Sequence, residues 1–165
     1  MRISKQDIID FRHGNDWIVW YRFTVGRRYS ISFRTRKNNE LTIQFSDYFG
    51  AQRNFEVYAE VVDLIWLYYH QDIVEGYLAQ MRAGAEIELQ GVRLTLEGIR
   101  IPPAHALLPW SDTGVAEYYR YFAVFDVHNA GVHARINYNE YQTEVLWSVI
   151  KTMRGDRGNP TVDTA

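Results

Sequence analysis

The chain of 165 residues contains no cysteine. That excludes a disulfide scaffold, a thiolate zinc site, an iron–sulfur cluster and a cysteine nucleophile, and it fits a reducing, cytoplasmic compartment. Lysine is nearly as scarce. Of the 18 basic side chains only Lys5, Lys37 and Lys151 are lysines, so most cations here are planar, forked arginines. No apolar run approaches the ~20 residues of a membrane-spanning helix. The opening MRISKQDIIDFRHGND lacks the apolar centre of a signal peptide, so none is expected. There is no Gly-x-Ser-x-Gly turn, phosphate-cradling glycine loop or dinucleotide fingerprint. No enzymatic activity and no cofactor are expected.

What is present is an uneven charge distribution. The formal net charge is −2, yet residues 1–53 carry an excess of five positive charges and residues 54–165 an excess of seven negative ones. The positive excess gathers at Arg22, Arg27, Arg28, Arg34, Arg36 and Lys37.

Alternation of apolar and polar residues predicts strands over 17–25, 29–36 and 41–46. Trp17, Val19, Tyr21, Phe23 and Val25 face inward, as do Tyr29, Ile31, Phe33, Leu41, Ile43 and Phe45. Because the inward sets are all odd-numbered, each hairpin loop must hold an odd number of residues. Loops at Gly26–Arg28 and Lys37–Asn39 satisfy this, and the outward face then pairs Trp20 with Arg34, Arg22 with Ser32 and Arg36 with Glu40. Residues 1–15 read as a short helix or an arm.

A helix is predicted over 54–83, N-capped by Asn54 and stopped by Gly84. Its inward stripe is Phe55, Tyr58, Val62, Ile65, Tyr69, Ile73 and Tyr77, with a break expected between His70 and Gly76. Trp66 and Leu67 widen the apolar face, so burial on two sides is expected, by a second copy (a homodimer) or a partner domain. Short strands follow at Ile87–Leu89, Val92–Leu96 and Ile99–Ile101, with turns at Pro102-Pro103 and Ser111–Gly114. A long strand faces inward through Tyr119, Tyr121, Ala123, Phe125 and Val127, and its partner through Val132, Ala134, Ile136 and Tyr138. Asn139 with Gln142 reads as a capping box before a closing helix with Val145, Leu146, Val149, Ile150 and Met153 inward. The whole is α+β and mostly antiparallel, one domain over 1–153 (17–83, then 84–153) followed by a disordered tail at 154–165.

From Gly84 to Met153, the bend VRLTLEGIRI, the turn Leu108-Pro109-Trp110, two aromatic strands and a final helix bearing Trp147 resemble bacterial pleckstrin-homology-like (PH-like) domains. These occur in uncharacterised, often membrane-associated bacterial proteins. The resemblance implies a bent sheet or partial barrel of seven strands closed by a C-terminal helix, with Leu146, Val149 and Ile150 as the plug. It implies binding or scaffolding and no chemistry, and in eukaryotic relatives a basic first hairpin holds lipid headgroups. The helix at 54–83 and the three strands before it depart from that pattern.

Trp20 with Arg22, Arg27, Arg28, Arg34 and Arg36 is the candidate site for an anion or a partner. Forked guanidinium groups suit the phosphates of an anionic membrane surface. The ordinary alternative is a solvated strand face whose arginines pair with the acidic second half, within the chain or across a dimer. A polynucleotide partner is not expected of a slightly acidic chain. Asp126, His128 and His133, with Asp126 opposite His133, are the nearest approach to metal ligands, and a cross-strand ion pair explains them as well. His70 shares no helical face with Asp72 and Glu75, and no metal is expected. Tyr68, Tyr69, Tyr118, Tyr119, Tyr121 and Tyr138 either rim a groove or fill the core. The expectation is a non-enzymatic interaction module, with peripheral binding to anionic lipid as the alternative.

Overall fold

Three strands open the chain: β1 (Ile8–Trp20), β2 (Phe23–Thr35) and β3 (Glu40–Tyr48), paired antiparallel in sequence order. The computed structural model describes residues 7–50, 53–104 and 106–155. Among them it shows an α+β chain of ten strands in three antiparallel sheets, none closed into a barrel. Residues 156–165, most of the expected tail, lie outside the described residues, whereas Arg154 ends the last helix. Chain contacts divide the molecule into two compact units, one of 1–73 with 139–142, the other of 74–138 with 143–165. The sequence reading placed its internal division at 83/84.

In the first unit the strands are longer than their alternation indicated. β1 begins at Ile8, where an arm or helix was expected, and pairs with β2 down its whole length to a turn at Tyr21-Arg22. Full-length pairing sets Phe11 opposite Phe33 and His13 opposite Ile31, which buries Phe11 and Ile31. A hairpin folded at 26–28 would leave Phe11 without that cover. Gly26 is a strand residue here: a Cβ on it would overlap the Asp47 carbonyl of β3. Glycine serves close approach as well as turns, and the local pattern does not distinguish the two.

The β2–β3 loop does hold three residues, but they are Arg36, Lys37 and Asn38. Thr35 N–H donates to the Asn39 carbonyl at 3.0 Å, and Asn38, not Asn39, takes the left-handed conformation at φ 58°. Arg34 therefore faces Glu40, and Phe33 faces Leu41. Odd residues still pair with odd ones, but the register is two residues away, and Leu41 and Ile43, expected inward, are exposed because only the far end of β3 is covered.

α1 (Arg53–Ile65) runs through a π-helical turn at Trp66–His70 directly into α2 (Gln71–Arg82). Asn54 does not cap it; its Nδ2 donates to the Ser46 carbonyl at 3.0 Å. The Asp47 carboxylate accepts the Phe55 N–H at 3.2 Å. At the far end, Gly84 at φ +87° places Ala85 N–H on the Gln80 carbonyl, a Schellman stop. No break falls between His70 and Gly76, where α2 is regular; the irregularity is the π turn just before it, which inserts one residue. Inward positions accordingly run Tyr58 and Ile65, then His70, Val74, Leu78 and Met81, one residue beyond the expected Tyr69, Ile73 and Tyr77. Tyr58 and Ile65 pack with Phe11, Tyr29 and Ile31 into the first unit's core.

The second unit holds most of α2, two meanders and a closing helix. The first contains β4 (Ile87–Leu89), β5 (Val92–Leu94), β6 (Gly98–Arg100) and β7 (Leu107–Pro109), and the second β8 (Thr113–Glu117), β9 (Tyr121–Asp126) and β10 (Asn129–Asn137). Leu89, Leu94, Ile99, Phe122, Val124, Ile136, Leu146 and Ile150 are almost fully buried. On β9 the inward residues are Phe122 and Val124, the opposite face from the one expected. The irregularity between Asn129 and His133 sets His133 opposite Phe125, not Asp126, and a one-residue slip exchanges the two faces of a strand.

The final helix α3 (Thr143–Arg154) starts four residues after Asn139. Its first residue donates from Thr143 Oγ1 to the Asn137 carbonyl at 2.9 Å. The residues between belong to the first unit, where Tyr141 is buried, so a helix cannot begin there. Leu146→Ala is expected to lower the unfolding free energy by about 2–5 kcal/mol, read by urea denaturation. A loss well below about 1 kcal/mol would contradict this packing.

Candidate interaction surface

β1 and β2 each hold 13 residues and β3 holds nine. β3 ends at Tyr48 opposite Gly26, so the residues from Val19 through Thr24 continue as a two-stranded ribbon. Such a ribbon has no core of its own. Its apolar side chains are open: Val19 is 60 % exposed, Trp20 67 %, Tyr21 87 % and Phe23 72 %. Alternation predicts Trp17, Val19, Tyr21 and Phe23 inward, yet among the described residues of the first unit nothing buries them. Tyr48 at the end of β3 and Phe49 just past it are exposed as well. One signal for this was already in the run Trp17–Val25, which is apolar at both odd and even positions and so cannot bury a single face.

The six candidate residues fall at three places along the hairpin. Trp20 and Arg22 stand at the ribbon, with the Trp20 and Tyr21 ring centroids 5.7 Å apart. Arg27 and Arg28 lie within β2 below it, not at a loop tip, and alternation points them to opposite faces. Arg27 is directly opposite Trp17, and its guanidinium lies 3.9 Å from the indole centroid. Arg28 is opposite Asp16 and Ser46. Arg34 and Arg36 stand at the other end of β2, about 40 Å of extended strand away from Arg22. The expected pairing of Trp20 with Arg34 therefore does not form; Trp20 faces Phe23. The basic residues form no single cradle.

Arg34 serves a different purpose. Its guanidinium lies 3.8 Å from the centroid of the buried Tyr141 ring, and that of Arg12 lies 4.5 Å away. Arg12 Nη2 donates to Glu40 at 3.1 Å, and Ser32 and Thr42 hydroxyls meet at 2.8 Å. Tyr141, with Arg12 next, holds the Glu40 carboxyl below its ordinary range.

At the base of the ribbon, Trp17, Val25, Arg27, Tyr29, Asp47, Phe49 and Phe55 are among the residues lining a pocket of ≈ 360 Å³. Its walls are mainly aromatic, and its polar side chains include Thr24 and the charged pair Arg27 and Asp47, which are cross-strand neighbours. Asp47 and Phe49 were not singled out by sequence, because Asp47's role as acceptor for the first turn of α1 depends on where β3 ends.

The outer side of α1 and the π turn is the second open surface. Val57, Leu64, Leu67 and Tyr68 are between 45 % and 58 % exposed, and Glu56, Glu60 and Asp63 stand among them at spacings of three and four. Among the described residues, neither these three acids nor Arg22 and Arg28 form an ion pair.

Asp126, His128 and His133 do not converge. The Asp126 carboxylate accepts the His128 N–H at 2.8 Å, the His133 ring meets the Ala130 carbonyl, and His128 lies 3.9 Å from Asp112. His70 is buried while Asp72 and Glu75 are exposed. Among the described residues no group of three or more acids and histidines is placed to hold a metal ion. Of the tyrosines, Tyr68 and Tyr69 belong to the first unit and Tyr118, Tyr119, Tyr121 and Tyr138 to the second. Tyr118 stacks on Tyr121 at 4.6 Å, Arg135 covers Tyr121, and Tyr119 is open. No helix among the described residues is long and apolar enough to cross a membrane. Comparison with protein-family models, curated proteins and solved structures gives no match.

Two buried groups in the first unit titrate against each other. Burial pushes the Asp10 carboxyl up to about 7, opposed by the Phe11 N–H and by Arg34. The native state thus keeps a proton that the unfolded chain releases. This contribution is complete below the ordinary carboxyl value of 3.8 and is lost as pH rises towards 7. Burial, with His13 nearby, lowers His70 to about 4. Its contribution is complete above 6.5 and is lost as pH falls towards 4. Between pH 4 and 6.5 the two slopes oppose, each bounded by about 1.4 kcal/mol per pH unit. Asp10→Asn removes one of them, so the variant is expected to lose stability more steeply on acidification across that window. Urea midpoints measured against pH test this; parallel curves for variant and parent would refute it.

Proposed function

We propose that the chain is a non-enzymatic interaction module whose contact element is the β1–β2 ribbon and whose second unit is PH-like. The observation that carries the reading is the exposure of Val19, Trp20, Tyr21 and Phe23 on a ribbon with no core. Open aromatic residues of this density on one element mark an interaction surface. The PH-like reading is supported by the second unit's order of elements. Its seven strands, four in one meander and three in the next, precede α3, the arrangement the resemblance implies. The three strands and long helix that departed from the family pattern fall largely in the other unit.

Peripheral attachment to anionic lipid is the second reading, and one observation favours it. Between Asp16 and Arg28 the charges are Arg22, Arg27 and Arg28 against a single acid. Exposed Trp and Tyr beside arginines suit a membrane–water boundary. On either reading the protein works in the cytoplasm, on the second at a membrane surface.

Trp20→Ser combined with Phe23→Ser tests the module. Both positions are exposed, so the melting temperature is expected to stay within a few degrees of the parent. The parent should self-associate in sedimentation equilibrium or sediment with anionic vesicles at low salt, and the double variant should do neither. A parent inert in both assays, or a variant identical to it, would remove the reading.

A further inference from the structure

We infer that the ribbon's partner is the outer face of α1 on a second copy of this chain, the two copies forming a two-fold dimer in which each ribbon lies on the other's helix. The inference rests on the interaction-module reading and adds the identity of the partner.

The argument is complementarity between two surfaces of one unit. The ribbon presents apolar Val19, Trp20, Tyr21 and Phe23 with Arg22, Arg27 and Arg28 around and below them. The outer side of α1 and the π turn presents apolar Val57, Leu64, Leu67 and Tyr68 with Glu56, Glu60 and Asp63. Both surfaces are apolar and open to water, and the exposed cations Arg22 and Arg28 on one answer the exposed anions Glu56, Glu60 and Asp63 on the other. The other arginines of the hairpin are engaged within the unit, Arg12 on Glu40 and Arg34 on Tyr141. Arg22 and Arg28 have no acidic partner among the described residues, and neither do Glu56, Glu60 and Asp63.

Ribbon and helix are different patches, so one contact alone would be heterologous and would propagate copies without end. A two-fold axis lets both contacts form at once and closes the assembly. In a closed dimer both open surfaces of the unit are covered and opposite charges meet at the rim. Phosphate groups of a membrane would match only the ribbon and would leave the acidic helix face uncovered.

The full chain supplies the test. Arg22→Glu with Arg28→Glu makes a ribbon-reversed protein, and Glu56→Lys with Glu60→Lys a helix-reversed one. Alone, each places like charges at both contacts and is expected to dimerise at least about tenfold more weakly than the parent. Mixed in equal amounts, the two variants meet with opposite charges at both contacts. The mixed dimer should recover to within a few-fold of the parent constant, read by sedimentation equilibrium with one partner fluorescently labelled. All four positions are solvent-facing, and melting curves confirm that the variants fold. Independently of any variant, the parent dimer should weaken about tenfold between low and high salt. A parent that stays monomeric at tens of micromolar overturns the inference, as does a mixture that fails to associate or a dimer indifferent to salt. A monomeric parent that sediments with anionic vesicles through Trp20 and Phe23 would overturn this inference while leaving the module reading intact.

Discussion

The length of β3 governs the first unit. β1 and β2 pair over their full 13 residues, and β3, with nine, reaches only as far as Gly26. Where three strands lie side by side, one face carries Phe11, Tyr29 and Ile31 against Tyr58 and Ile65 of α1. Where β3 is missing, the same alternation continues into a ribbon whose apolar side chains are exposed among the described residues. Asp47, near the end of β3, accepts a hydrogen bond from the start of α1, so the strand end also sets where the helix begins. The closed core and the open ribbon, and with them the proposed contact, follow from that single difference in strand length.

Arginine in this chain is used as a flat surface as much as a charge. Arg27 covers Trp17, Arg34 and Arg12 cover Tyr141, and Arg135 covers Tyr121. Each such contact is worth roughly 0.5–1 kcal/mol where it is open to water, and lysine's compact ammonium would lose the stacking area. This explains why a chain so rich in arginine builds no phosphate cradle on β2. Of the guanidinium groups on β2, Arg27 and Arg34 stack on rings far apart along the strand, and Asp10 lies buried beside Arg34 in a setting where its proton is partly retained.

Much of the architecture was legible from pattern. The β2 and β3 segments, the long helix with its Gly84 stop and the closing helix with Leu146, Val149 and Ile150 inward all follow from local periodicity. The α+β class followed from these. The candidate arginines were legible as residues but not as a site. Arg27 and Arg28 were read into a loop because Gly26 preceded them, whereas that glycine marks the close passage of β3. Trp20 was assigned to Arg34 on a register that the Tyr21-Arg22 turn displaces.

By itself, then, the sequence determined β2, β3, the long helix and the closing helix, because the periods of two and 3.6 residues are written locally, but not the first half of β1, which pairs only with distant residues. It also determined the excess of basic residues in the first third and the absence of cysteine chemistry. Register and facing were decided by the tertiary structure alone. The slip that turns Phe122 and Val124 inward leaves the alternating pattern unchanged. The extra residue of the π turn moves the inward line from Tyr69 to His70 without altering the helical appearance of the sequence. Both choices depend on which distant residues pair and pack, for β9 the irregularity at the start of β10, and for the helix the core around Phe11. Distant pairing is also what left the ribbon bare, since only the place where β3 stops makes Trp20 and Phe23 surface residues.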